Sequence, residues 1–334
     1  MTQKATYSYL GKTGLRVSVP VIGGMTYGSP TWVPWVLPEK KALPILKAAW
    51  DSGLNTIDTA NMYSNGESER IIGKFIQQYE IPRSRLVIFT KARYIVAHNH
   101  PQVLTGFGEP EVIDKQEYIN AGGLSRKALF SQVHDSLERL QAGYVDVLFV
   151  HGSDPNTPHE ETMKALHDLV ESGKVHYLGV PTLHLWELAQ TQAVAEKNGW
   201  TKFSFVEFEH SLLYHPEELE MLVYCNRSGL GTLAFAPLMD DHLARPIRTR
   251  TERSKLFNGT VYDKPRRNSD KEIIKRVEEL SKKKGWTMSQ VALAWSIGKV
   301  TNPIVGMNSI ERVHEAILGD RKLSDEEIKC LEEP

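Results

Sequence analysis

Cysteine is nearly absent from this chain: Cys225 and Cys330 are the two present in 334 residues, far apart and in no C-x-x-C pair. That excludes a disulfide framework or a thiolate zinc site and fits a reducing, cytoplasmic setting. An excess of one charge is also missing, since 40 Lys and Arg face 41 Asp and Glu for a formal net charge of −1. Phosphate backbones are bound by a surplus of Lys and Arg on one face, so nucleic acid is not an expected partner and a small molecule is. No stretch approaches the roughly 18 apolar residues of a membrane span. The opening residues, Met1-Thr2-Gln3-Lys4-Ala5, carry no apolar signal region, so no membrane partner is expected either. Nor does any His-x-His or Glu-x-x-His pair line up with a third ligand, and no metal site is expected. What is abundant is apolar content, 41% of the residues. A chain of this length and composition can bury a large core, and residues 1–334 read as one domain.

Apolar helix-period segments alternate with short buried-strand segments along most of the chain. A hairpin is predicted first, with 7–11 and 16–22 flanking Lys12-Thr13-Gly14. Then come a helix over 43–49 and a strand over 54–57, followed by helix 67–79 and strand 86–90, and helix 126–140 and strand 145–150. The pattern continues with helix 159–172 and strand 175–180, helix 184–198 and strand 203–207, and helix 216–228 and strand 231–236. Helices over 270–284 and 288–297 precede a last strand at 303–305. With a first strand near 18–22 this makes about eight strands alternating with helices, an α/β pattern that predicts a TIM (β/α)8 barrel. Two long loops, 92–124 and 239–268, follow strand C-termini, where such barrels build their sites. The second carries Arg245, Arg248, Arg250, Arg253, Lys255, Lys264, Arg266 and Arg267, a run that reads either as a phosphate cradle or as a solvated face.

The most telling segment is Asp58-Thr-Ala-Asn-Met-Tyr63, a carboxylate and a phenol five residues apart just after a strand. Two further strands end similarly, at Lys91 and at His151. A phenol has a pKa of about 10, too high to exchange protons readily near neutrality. An adjacent ammonium lowers it, and a carboxylate can hold that ammonium in place. The expected roles are Tyr63 as acid/base, Lys91 as its tuner, Asp58 as the anchor of Lys91, and His151 as the group that orients a substrate oxygen.

The blocks Thr59-Ala-Asn-Met-Tyr63-Ser-Asn-Gly-Glu-Ser-Glu69, Leu140-Gln-Ala-Gly-Tyr-Val-Asp146-Val-Leu and Leu169-Val-Glu-Ser-Gly-Lys-Val-His-Tyr-Leu-Gly179 resemble the signature blocks of the aldo-keto reductases. The similarity is strongest to the fungal branch of aryl-alcohol dehydrogenases and versiconal hemiacetal acetate reductase. The resemblance implies a TIM barrel, NADPH as cofactor, and a catalytic tetrad that matches Asp58, Tyr63, Lys91 and His151 position for position.

The cofactor contacts it implies are altered. A polar pair expected after Gly179 is Pro181-Thr182, and proline offers no donor. A Gln-Asn pair expected on the next strand is Glu207-Phe208, and a carboxylate cannot donate as an amide does. The pyrophosphate turn reads Ala236-Pro237-Leu238-Met239-Asp240-Asp241, where each like-charge contact at roughly 4–6 Å costs on the order of 1–4 kcal/mol. The last block, Gly306 to Arg312, lacks the usual base near the 2′-phosphate, although Arg312 can stand in for it, and Phe235 can stack on a nicotinamide ring. The expectation is an enzyme with a degenerate NADPH site, no bound cofactor, and non-redox acid/base chemistry on an oxygenated fungal metabolite. The alternatives are an NADPH-dependent reductase of an aldehyde or ketone, and a non-catalytic binding protein. Glu207, Phe208, Trp32, Trp35, Tyr94 and Thr182 are the expected pocket residues.

Overall fold

The computed structural model describes residues 4–106, 114–181, 183–247, 249, 251, 255 and 267–333. Thr182, Arg248, Arg250, Arg253, Lys264 and Arg266 lie outside the described residues. The chain begins with an antiparallel hairpin, β1 (Thr6–Tyr9) and β2 (Arg16–Val19), paired from Thr6 opposite Val19 to Tyr9 opposite Arg16. The expected second arm, 16–22, is in fact two strands, because Pro20 has no amide to continue the ladder. The barrel starts beyond it at β3 (Val21–Gly23).

Seven more parallel strands follow: β4 (Thr56–Asp58), β5 (Val87–Ala92), β6 (Val145–Val150), β7 (Val175–Pro181), β8 (Phe205–Glu209), β9 (Gly231–Phe235) and β10 (Asn302–Val305). They pair in sequence order, and β10 returns to β3 with Ile304 opposite Val21, closing the TIM barrel. Successive strand side chains point to opposite faces, so each strand feeds two cores. Val87, Phe89, Val147, Phe149, Phe205 and Leu233 fill the barrel interior, where Leu10 and Val17 of the hairpin region join them. Ile88, Leu148, Val206 and Ala234 point outward to the helices.

The helices bury the stripe their spacing predicts. In α1 (Glu39–Asp51) the apolar residues are Leu43, Ile45, Leu46 and Ala49; in α2 (Glu67–Gln78) they are Ile71, Ile72, Phe75 and Ile76. Glu67 and Glu69 occupy the first turn of α2, where negative charge suits the helix dipole. Ser125 caps α3 (Arg126–Leu140) by accepting from the Ala128 amide at 3.3 Å. Each fully buried Leu, Ile or Phe contributes roughly 1.5–3 kcal/mol, so truncating one such as Ile72 costs about 2–5 kcal/mol. The strand expected at 203–207 is displaced to 205–209. Phe203 leaves the ladder because the Gln192 side chain satisfies both its amide (2.9 Å) and its carbonyl (3.0 Å). The helix expected over 216–228 divides into a 3₁₀ turn, Pro216–Glu218, and a helix, Met221–Ser228.

Two of the motif acids serve the scaffold. Asp146 accepts from Arg83 at 2.7 Å and from the Ile88 amide at 2.8 Å. Glu69, fully buried, accepts from the Thr90 hydroxyl at 2.6 Å and from Arg139 Nε at 2.7 Å. No helix among the described residues is long and apolar enough to cross a membrane.

Candidate active site

The inward rows of the barrel fix which side chains reach its C-terminal mouth. Lys91 lies in phase with Phe89, His151 with Phe149, and Glu207 and Glu209 with Phe205, so each continues an interior row one step above the apolar plug. Asp58 ends β4, and the turn after it brings back Tyr63. Asp58, Tyr63, His151 and Glu207 line one cleft of about 990 Å³.

Lys91 is the hub. Its ammonium donates to Asp58 Oδ1 and to the Thr59 carbonyl at 3.1 Å, and stands 3.3 Å from Glu207 Oε2. It also lies 5.6 Å from the ring centres of both Tyr63 and Phe149. Lys91, Asp58 and Glu207 are all at most 3% exposed, so two carboxylates share one buried cation. Burial works against the Lys91 charge, but Asp58 and Glu207 outweigh it and hold the ammonium above the ordinary lysine range. Burial also raises Asp58. Glu207 is pushed up to about 8, by burial first and by the Asp58 carboxylate second, with Lys91 opposing.

The phenol departs from its expected tuning. Burial raises the Tyr63 pKa, and the carboxylates of Asp58 and Glu207 counter the lowering by Lys91, so the phenol lies above its ordinary value. Lys91 does not bring it toward neutrality because burial outweighs its pull and the two carboxylates oppose it. His151 is driven well below the ordinary histidine range by burial, then by Lys91 and Arg93, and is a neutral imidazole. Its ring meets Tyr63 edge-on at 6.1 Å and Tyr94 at 5.2 Å, and its Nδ1 has no hydrogen-bond partner among the described residues.

Of the other expected pocket residues, Trp35, Tyr94, Phe235 and Arg312 line the cleft. Phe208 does not. The two-residue strand period that turns Glu207 inward turns Phe208 outward, where it packs in the layer between barrel and helices. Trp32 is also displaced from the wall: it packs among Val33, Val36, Ala60 and Met62, 6.4 Å from the Tyr63 ring. Thr182 lies outside the described residues. Arg312 donates to Ser289 Oγ at 3.2 Å and is paired with Glu315. Glu209, which lines the cleft, had the same periodicity signal as Glu207 and was not singled out in the sequence.

The rim after β9 is conformationally costly. Ala236, Met239, Asp240 and Asp241 have φ of 52°, 44°, 51° and 73°. For residues with a Cβ this region costs roughly 1–2 kcal/mol each, least for Asp and Asn. Asp240, Asp241 and Arg245 all face the cleft. A second strained run follows Tyr63, with Ser64 at φ 50°, ψ 38° and Asn65 at φ 50°, ψ 48°.

The aldo/keto reductase family profile matches residues 21–333. An aldo-keto reductase of Alternaria alternata is 46% identical over 98% of this chain and 91% of its own length. The versiconal hemiacetal acetate reductase of Aspergillus parasiticus is 44% identical over 98% of this chain and 96% of its own. A putative aryl-alcohol dehydrogenase of Schizosaccharomyces pombe is 43% identical over 98% and 95%. The signature blocks, the closed parallel barrel and the full-length similarity agree that the chain belongs to the aldo/keto reductase family.

Proposed function

We propose that this chain is an acid/base enzyme that acts on an oxygenated small molecule without a nicotinamide, performing a dehydration, isomerisation or cyclisation. The observation that carries the reading is Glu207, a buried carboxylate beside Lys91 at the floor of the cleft. A nicotinamide dinucleotide phosphate is a polyanion, and the described cleft lining fits it poorly. Besides Asp58 and Glu207, which share the Lys91 ammonium, it includes Glu209, Asp240, Asp241 and Glu315, against Arg245 and Arg312. One of those two cations is already engaged by Glu315. Pro181 adds a wall position with no amide donor.

The chemistry follows from the two protonation states. Tyr63 is a neutral phenol and can give its proton to a substrate oxygen, while Lys91 stabilises the phenolate left behind. Glu207, pushed up to about 8, accepts a proton in the same cleft in its deprotonated form, whose share grows as pH rises toward that value. In a dehydration the C–O bond breaks, the hydroxyl leaves as water with the Tyr63 proton, Glu207 takes a proton from the adjacent carbon, and proton exchange through the mouth resets both groups. Neutral His151 orients the oxygen.

A second reading, an NADPH-dependent carbonyl reductase, is favoured by the full-length similarity to relatives that carry reductase names. The basic run over 245–267, of which Arg248, Arg250, Arg253, Lys264 and Arg266 lie outside the described residues, belongs to that reading. A calorimetric titration with NADPH separates the two, run on the unmodified protein and on Asp240→Arg/Asp241→Gly. Micromolar binding by the unmodified protein would overturn the cofactor-free proposal. No binding there, with binding gained in the double variant, is the expected result.

A further inference from the structure

The strain after Tyr63 coincides with an unusual concentration of contacts. The Asn65 side chain is 3% exposed, and its Nδ2 donates to the Val103 carbonyl at 2.9 Å, that of Pro101 at 3.3 Å and that of His100 at 3.5 Å. Its Oδ1 accepts from the Ala97 amide at 3.0 Å, so one amide group takes up four backbone positions of the 93–106 loop. Ser64 Oγ accepts from the Ser29 amide at 3.2 Å, in the 24–38 loop that flanks the turn on its β3 side. Packing there is close, since a Cβ at Gly28 would come within 2.0 Å of Ser64 Oγ, and one at Gly106 within 2.5 Å of Met62 Cε. Asn61, in the same segment, donates to the Tyr94 carbonyl at 2.8 Å. Both loops furnish cleft wall: Met25, Thr26, Pro34 and Trp35 from one, Tyr94 and Gly106 from the other.

We infer that Ser64 and Asn65 are positioning residues that key the two flanking loops of the cleft wall to the turn that carries Tyr63. The left-handed conformation at two consecutive residues with Cβ atoms aims their side chains apart, one to each loop, and the contacts hold them there. A wall cannot shift without disturbing the turn, so substrate fit is read at the phenol. This inference does not depend on whether the chemistry is redox or cofactor-free, because it concerns how donor and walls are held in register.

Amide hydrogen exchange on the full chain tests it, comparing Ser64→Ala, Asn65→Ala and Asn65→Asp with the unmodified protein. Asn65→Ala is expected to speed exchange at Ala97, His100 and Val103 at least tenfold, leaving 26–37 and the barrel strands within about twofold. Ser64→Ala is expected to do the reverse, loosening 26–37 alone. Asn65→Asp keeps the acceptor for Ala97 but loses the donor, so Ala97 stays protected while His100 and Val103 open. Lowering the pH through the carboxyl range, with intrinsic rates corrected, should restore a donor and return that protection. Unchanged exchange in both loops, or a uniform rise that includes the barrel strands with a fall in the thermal midpoint, would overturn the assignment.

Discussion

Glu69 and Glu207 are both acids sealed inside this barrel, and their surroundings are opposite. Glu69 has a donor for each oxygen, a hydroxyl and a guanidinium, and that guanidinium pairs with no second carboxylate among the described residues. Glu207 shares a single ammonium with Asp58 and faces an open cleft. The first arrangement ties an acid into the scaffold, while the second leaves a carboxyl pushed up to about 8 at the cleft. Burial is common to both acids; what sets Glu207 apart is a second carboxylate on the same cation.

The comparison can be broken at its structural side first. Glu69→Ala leaves Arg139, 11% exposed, without its counter-charge. It should lower unfolding free energy by about 3–5 kcal/mol, read from a urea midpoint. On the reactive side, Tyr63→Phe should cost about 10²–10⁴ in turnover on an identified substrate while barely moving that midpoint. Retention of full turnover would remove Tyr63 from the chemistry.

Glu207→Gln sharpens the contrast through pH. The folded-state pKa of Glu207 is raised from 4.5 to about 8, so the folded protein holds this proton more tightly than the unfolded chain does. Stability from this group is fully present below about 4.5, falls as pH rises through the window, and levels off above about 8. The unmodified protein should thus lose stability across that window, on the order of a few kcal/mol, relative to Glu207→Gln. Parallel pH profiles for the two proteins would contradict it. The smallest effect is expected at the rim, where Asp241→Gly relieves a φ of 73° and should stabilise by about 0.5–1 kcal/mol in the same assay.

Periodicity made the barrel legible, because eight strands buried on both faces and helices with one apolar stripe leave few architectures open. Errors arose where side chains replaced or interrupted backbone pairing: Pro20 splitting the hairpin arm, and Gln192 holding Phe203 out of β8. The Asp58, Tyr63, Lys91 and His151 group was visible as a set of strand ends. Reading Glu207-Phe208 as a functional pair ignored the alternation that turns one inward and the other outward; applied strictly, the same rule would have named Glu209. The shared cation and its effect on the phenol had no sequence signal, since charges 116 residues apart (Lys91 to Glu207) meet only when the barrel closes.

The hairpin at the start of the chain seals the barrel floor, Gly11 lying so close to β9 that a Cβ there would sit 2.3 Å from the Gly231 amide. Above that floor Val87, Phe89, Val147, Phe149, Phe205 and Leu233 fill the interior, so the acids at the mouth stand on a stopper rather than over a channel. Tyr63 and Glu207 therefore meet water from the cleft side, and a proton leaving either group passes between the loops that line it.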